Sequence, residues 1–189
     1  MTVFEYLSVF VSIVVGLGVA NLLLGVERIL TGPRDRVSMV HLGWVAMVLL
    51  LLIFFWWFNF QWDRQAIWSF GLFVWVVCYA MLMFFVATLA VPGDRDDDAN
   101  WGDWFFERRR IFFTTVGLAA IADVVDFIVR NGVDMAVASV AMFTPQALSV
   151  VIAVVLARTS SRRILEILTV VHLVILVTAV LTMAGTVGV

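Results

Sequence analysis

The sequence predicts an all-α integral membrane protein with six transmembrane helices in one compact bundle. Three observations lead there. Of 189 residues, 63% are hydrophobic and 14% charged, with a mean hydropathy of +1.08, which leaves too little polar surface to wet a soluble domain of this size. Apolar stretches long enough to cross roughly 30 Å of hydrocarbon, about 20 residues each, recur six times. The connections between them are short and hold most of the arginines.

The spans fall at about 3–30, 38–62, 66–91, 111–130, 135–157 and 164–187. GPRDR (32–36), DRQ (63–65), VPGDRDDDANWGDWFFERRR (91–110), NGVD (131–134) and RTSSRR (158–163) separate them. No stretch is left for a soluble domain, so residues 1–189 are expected to form a single transmembrane domain. The start, MTVFEYLSVF, has an acidic Glu5 and no basic flank. It does not resemble a cleaved signal peptide, and the first span is expected to be retained.

In the first span Ser8, Ser12, Gly16 and Ala20 recur every fourth residue. A helix face with so little bulk lets another backbone approach closely, which predicts a packing seam and favours homo-oligomers. The second and third spans meet at FFWWFNFQWDRQAIW (54–68), where Trp56, Trp57, Trp62 and Trp68 surround a tight turn. Indole rings prefer the headgroup boundary, so these four are expected at the lipid interface. Trp101 and Trp104, with Phe105 and Phe106, precede Arg108, Arg109 and Arg110. That order predicts an interfacial segment contacting anionic lipid before the fourth span.

Arginines in short loops stay on the cytoplasmic side. With six spans, Arg28, Arg34, Arg36, Arg95, Arg108, Arg109, Arg110, Arg158, Arg162 and Arg163 share one side, against Arg64 and Arg130 on the other. Both termini are therefore expected to face away from the cytoplasm of a bacterial inner membrane. A weak internal echo, GLGVAN before Arg28 and GLAAIAD before Arg130, would relate two three-span halves as inverted copies.

The composition also removes several chemistries. The chain has no lysine, so no Schiff base to retinal or pyridoxal phosphate forms on a lysine amine. A single cysteine, Cys78, allows no intrachain disulfide or thiolate cluster. His41 and His172 could ligate a haem between helices, but their estimated depths differ by roughly 9 Å, and no cofactor is expected. Asp94, Asp96 and Asp98 match the start of a calcium loop, which fails where Ala99 replaces the turn glycine and Phe105 the bidentate glutamate. A looser divalent-cation site would use Asp94, Asp96, Asp97 and Asp98; no metal site is expected. A net charge of −2 without a basic tail gives nucleic acid no purchase. No Ser-His-Asp order, Gly-rich phosphate loop or HExxH occurs, so the expectation is a protein that is not an enzyme.

Polar side chains inside spans are costly and point to function. Counted from the cytoplasmic ends, the depths are roughly 4 Å for His41, 10 Å for Asn21, 13 Å for His172, 16 Å for Gln146, 20 Å for Asp123 and 24 Å for Asp126. This ladder predicts passage of a proton, ion or small solute. Asp123 is the charge-handling group, with Gln146, His172 and Asn21 as lining. Asp126 has Arg130 four residues on and can pair with it. The rival reading is an accessory subunit of a membrane complex, its polar groups joining helices and its aromatic surface binding lipid, pigment or partner helices.

Pro145 sits near the middle of the fifth span and predicts a helix kink that frees the carbonyl of Ala141. Around it, MFTPQALSVVIAVVLARTSS resembles the Pro-Gln signature of the PQ-loop sugar and amino-acid transporters. The resemblance covers about twenty residues. The first span has no Pro-Gln counterpart and the chain lacks that family's parallel three-helix halves, so no binding residues are carried over.

Overall fold

A computed structural model describes residues 2–31, 38–65, 67–93 and 100–186, without the side chains of 141–142 and 180–186. All its regular structure is helical: α1 (Val3–Thr31), α2 (Met39–Asn59), α3 (Phe70–Leu89), α4 (Trp101–Asn131), α5 (Val133–Ala138), α6 (Thr144–Arg158) and α7 (Arg162–Thr186). Short 3-10 turns at Phe60–Arg64 and Val140–Phe143 follow α2 and α5. Among the described residues four helical stretches are long and apolar enough to cross a membrane: Val3–Thr31, Met39–Arg64, Phe70–Leu89 and Trp101–Asn131. The apolar helix α6 is shorter.

Local chemistry sets the helix starts. Thr2 and Glu5 form a reciprocal capping box: Thr2 Oγ1 accepts from the Glu5 amide at 3.1 Å, and Glu5 Oε2 accepts from the Thr2 amide at 2.9 Å. Ser38 caps α2, accepting from the His41 amide, and Ser69 caps α3, accepting from the Leu72 amide at 3.2 Å. Asn100 Oδ1 accepts from the amides of Gly102 and Asp103 at 3.0 and 3.3 Å. Helix α4 therefore begins ten residues before the expected fourth span, and WGDWFFERRR is helix, not loop. At its far end Gly132 adopts φ +83°, a left-handed conformation that suits glycine and stops the helix.

The expected fifth span is not one helix. The chain breaks after α5, turns at Ser139, passes through a 3-10 turn and restarts as α6. Pro145 stands in the first turn of α6, where a missing N–H costs no hydrogen bond, and not in mid-helix.

The chain divides into two compact units, Met1–Phe105 and Phe106–Val189, with the boundary inside α4. In the first unit α1 packs chiefly against α3 and also against α2. Its buried face is Leu7, Val11, Val15, Gly18, Leu22, Gly25 and Ile29, spaced at three and four residues as one helical stripe requires. That is not the expected small-residue seam. Ser12, Gly16 and Ala20 are exposed, and a Cβ at Gly16 would meet nothing within 4 Å. The close approach belongs to Gly18, where a Cβ would lie 3.4 Å from that of Ala87, and to Gly25, where it would overlap the Val91 side chain.

In the second unit Gly117 lies against Ala153, with Cβ positions 3.4 Å apart, so α4 and α6 approach closely there. The glycines of the sequence echo thus differ in surroundings, Gly117 packed and Gly16 open. Helix α6 also packs on α7, which buries Leu165, Thr169 and His172 along one face. Outward, α1 presents Leu17, Leu23, Leu24 and Leu30. Such faces are compatible with a membrane location, where lipid tails solvate leucine.

Candidate functional site

The polar residues picked out by the sequence separate between the units. In the second unit Gln146 Nε2 donates to Asp123 Oδ2 at 2.8 Å, joining α6 to α4. One turn further along α6, Ser149 Oγ lies 3.0 Å from His172 Nε2 on α7. The same hydroxyl donates to the carbonyl of Pro145 at 2.8 Å. With that proton committed, the ring N–H of His172 donates to Ser149 Oγ. Three helices are thus joined through four side chains, and Gln146 and Ser149, three residues apart, share one face of α6.

Asp126 and Arg130 extend this cluster along α4. Arg130 Nε donates to Asp126 Oδ2 at 2.7 Å, with both side chains 8% exposed. An opposite charge one turn away removes the cost of a lone charge in an apolar helix. Gln146 retains a different tension, because its Oε1 is buried with no hydrogen-bond partner among the described residues. A buried acceptor left so is costly.

Ser149 was not among the residues expected from the sequence. Serine is common in apolar helices, and it usually bonds back to its own helix, as it does here to Pro145. The available signal was its place one turn after Gln146.

The first unit treats its polar groups differently. His41 is fully buried, its Nε2 is 2.7 Å from the carbonyl oxygen of Ala90, and its ring stacks on Phe105 at 5.0 Å. Trp104 lies at 5.7 Å from the same ring. Asn21 is half-buried on α1. Arg28 Nη1 donates to the carbonyl of Pro92 at 3.3 Å.

The tryptophans divide too. Trp56 and Trp57 are exposed, and Trp56 Nε1 donates to Ser12 Oγ at 3.3 Å. Trp62 is buried against Trp68, with ring centroids 5.4 Å apart. Trp101, Trp104 and Phe105 are buried as well. Because α4 starts at Trp101, their i, i+3, i+4 spacing places them on one helix face, which is buried in the first unit. Arg108 and Arg110 remain exposed, while Arg109 is held by the carbonyls of Thr159 and Phe106 at 2.6 and 2.7 Å.

No group of three or more His, Cys, Asp or Glu side chains that could hold a metal comes together among the described residues. Asp94, Asp96, Asp97 and Asp98 lie outside the described residues. No family model, curated protein or solved structure matches the chain. What stands is an all-helical protein with long apolar helices of the membrane kind.

Proposed function

We propose that this is a multi-pass membrane protein that handles protons through the cluster in its second unit. The observation carrying this reading is the Asp123–Gln146 bond, one helical turn from Ser149–His172, with Gln146 Oε1 buried and unpartnered among the described residues. A glutamine amide serves either state of a carboxyl group: Nε2–H donates to the carboxylate, and after a flip Oε1 accepts from the protonated acid. Carboxyl, amide, hydroxyl and imidazole groups thus lie within one turn of α6, and each can hold or pass a proton or hydrogen-bond one. Contacts this short suit a proton better than a solute, which needs a cavity. Proton uptake into liposomes, followed with a pH-sensitive dye, tests the proposal. Wild-type protein raises uptake and Asp123→Asn returns it to that of empty liposomes; equal uptake in both would refute the role.

The remaining features of this reading are proposals of the same standing. Helix α7, about 37 Å long at 1.5 Å per residue, and the broken α5–α6 segment would complete six crossings. Three crossings then fall in each unit, which is the division an inverted repeat needs. The arginine distribution favours an inner-membrane protein with both termini outside the cytoplasm. Gly16 and Ala20, left open on α1, suit pairing with a second copy, and the mass of the detergent-solubilised particle checks it.

The rival reading is an accessory subunit, favoured by the way these polar groups satisfy one another. There the same bonds only join helices, and Asp123→Asn would lower stability without touching flux.

A further inference from the structure

A groove of about 290 Å³ runs between α4 and α6 on the outside of the second unit. Gly117 and Ala153 make its floor, because neither side chain fills the space between the helices. Leu118, Ile121 and Val154 form exposed walls. From Phe113 to Ile121 it is roughly 12 Å long at 1.5 Å per residue. A helix about 10–12 Å across does not fit such a slot. A single hydrocarbon chain does.

One end of the groove is polar. Thr114 and Arg158 line it, both exposed, and Arg158 has no hydrogen-bond partner among the described residues. Arg110 stands four residues before Thr114, on the same face of α4, and is exposed as well. Neighbouring cations are already engaged: Arg109 is bonded to Thr159 and Phe106, and Arg109 and Arg162 lie 4.2 and 5.1 Å from the Phe106 ring. Arg158 thus lines the polar end of an apolar slot, and Arg110 lies one turn of α4 beyond Thr114 at that same end. Guanidinium pairs bind phosphate oxygens with charge-assisted hydrogen bonds, and the cytoplasmic leaflet is the one that carries anionic lipid.

We propose that this groove holds one acyl chain of an anionic phospholipid, with the lipid phosphate between Arg110 and Arg158. The proposal rests on the reading that these helices cross a bilayer with their arginine-rich ends at the cytoplasmic face. It makes the second unit a lipid-selective body and goes beyond a general belt of interfacial side chains.

Native mass spectrometry of the full chain in mild detergent, with phosphatidylglycerol or phosphatidylcholine of identical acyl chains, tests it. Wild-type protein retains one phosphatidylglycerol at lipid concentrations that leave phosphatidylcholine unbound. The Arg110→Gln/Arg158→Gln double variant loses that preference by about tenfold or more, the scale of a charge-assisted contact. Leu118→Trp, which fills the slot, loses the retained phosphatidylglycerol; should it fail to fold, the double variant decides alone. Equal retention of the two headgroups by wild-type protein, or unchanged preference in the double variant, overturns the proposal. Lipid preference with no Asp123-dependent proton uptake sinks only the functional reading, and uptake without preference sinks only the groove. A chain that stays monodisperse without detergent would remove the bilayer on which both rest.

Discussion

The two units solve the same problem, polar groups inside apolar helices, in opposite ways. In Met1–Phe105 the buried His41 spends its ring nitrogen on a main-chain carbonyl and its faces on aromatic rings. A backbone carbonyl neither moves nor changes charge, so that arrangement locks α2 to the end of α3. In Phe106–Val189 the bonds that join α4 to α6 and α6 to α7 at this cluster, Gln146 to Asp123 and His172 to Ser149, run from side chain to side chain, and these partners can rotate. Fixed bonds build a frame, whereas exchangeable ones can do work.

Mutations in the first unit should therefore act on stability. The largest loss is expected for Trp62→Ala, which empties a fully packed site beside Trp68 and should cost about 3–5 kcal/mol in unfolding measured in detergent. Gly25→Ala places a methyl group into Val91, and overpacking of this kind costs about 1–3 kcal/mol. His41→Phe keeps the stack on Phe105 but leaves the Ala90 carbonyl without its donor, a loss of about 1–3 kcal/mol with proton uptake unchanged. In the second unit Ser149→Ala should cost only about 1 kcal/mol yet lower uptake, because the hydroxyl joins His172 to α6. Trp57→Ala, on an exposed ring, should change unfolding by less than about 0.5 kcal/mol. An Ala substitution at Trp57 as costly as at Trp62 would show that lipid, not protein packing, holds this aromatic cluster.

Much of the frame was legible in the residues. Hydropathy and length located the first three long helices to within a few residues, and four-residue spacing gave the Asp126–Arg130 pair. Three features were not legible, each for a physical reason. Periodicity could not show which face of α1 turns inward: two stripes, one of small residues and one containing bulkier ones, run down the same helix, and the buried one is that of Leu7, Val11 and Val15. The charged run ERRR suggested a loop, although arginine and glutamate are good helix formers and Asn100 supplies a cap. That cap turned Trp101 and Trp104 inward. The break between α5 and α6 lies in a continuously apolar stretch, where hydropathy has no contrast to report. For the site, depth counting placed Asp123 and Gln146 about 4 Å apart along the membrane normal, close enough to meet. It could not assign Asn21 to the other unit or bring in Ser149, since both depend on helix rotation.

The most direct test of this contrast is proton uptake into liposomes by Asp123→Asn and His172→Phe measured beside His41→Phe. Both second-unit variants should fall to the level of empty liposomes while His41→Phe matches wild-type protein. Uptake that falls equally in all three, or in none, would contradict the assignment of proton handling to the second unit.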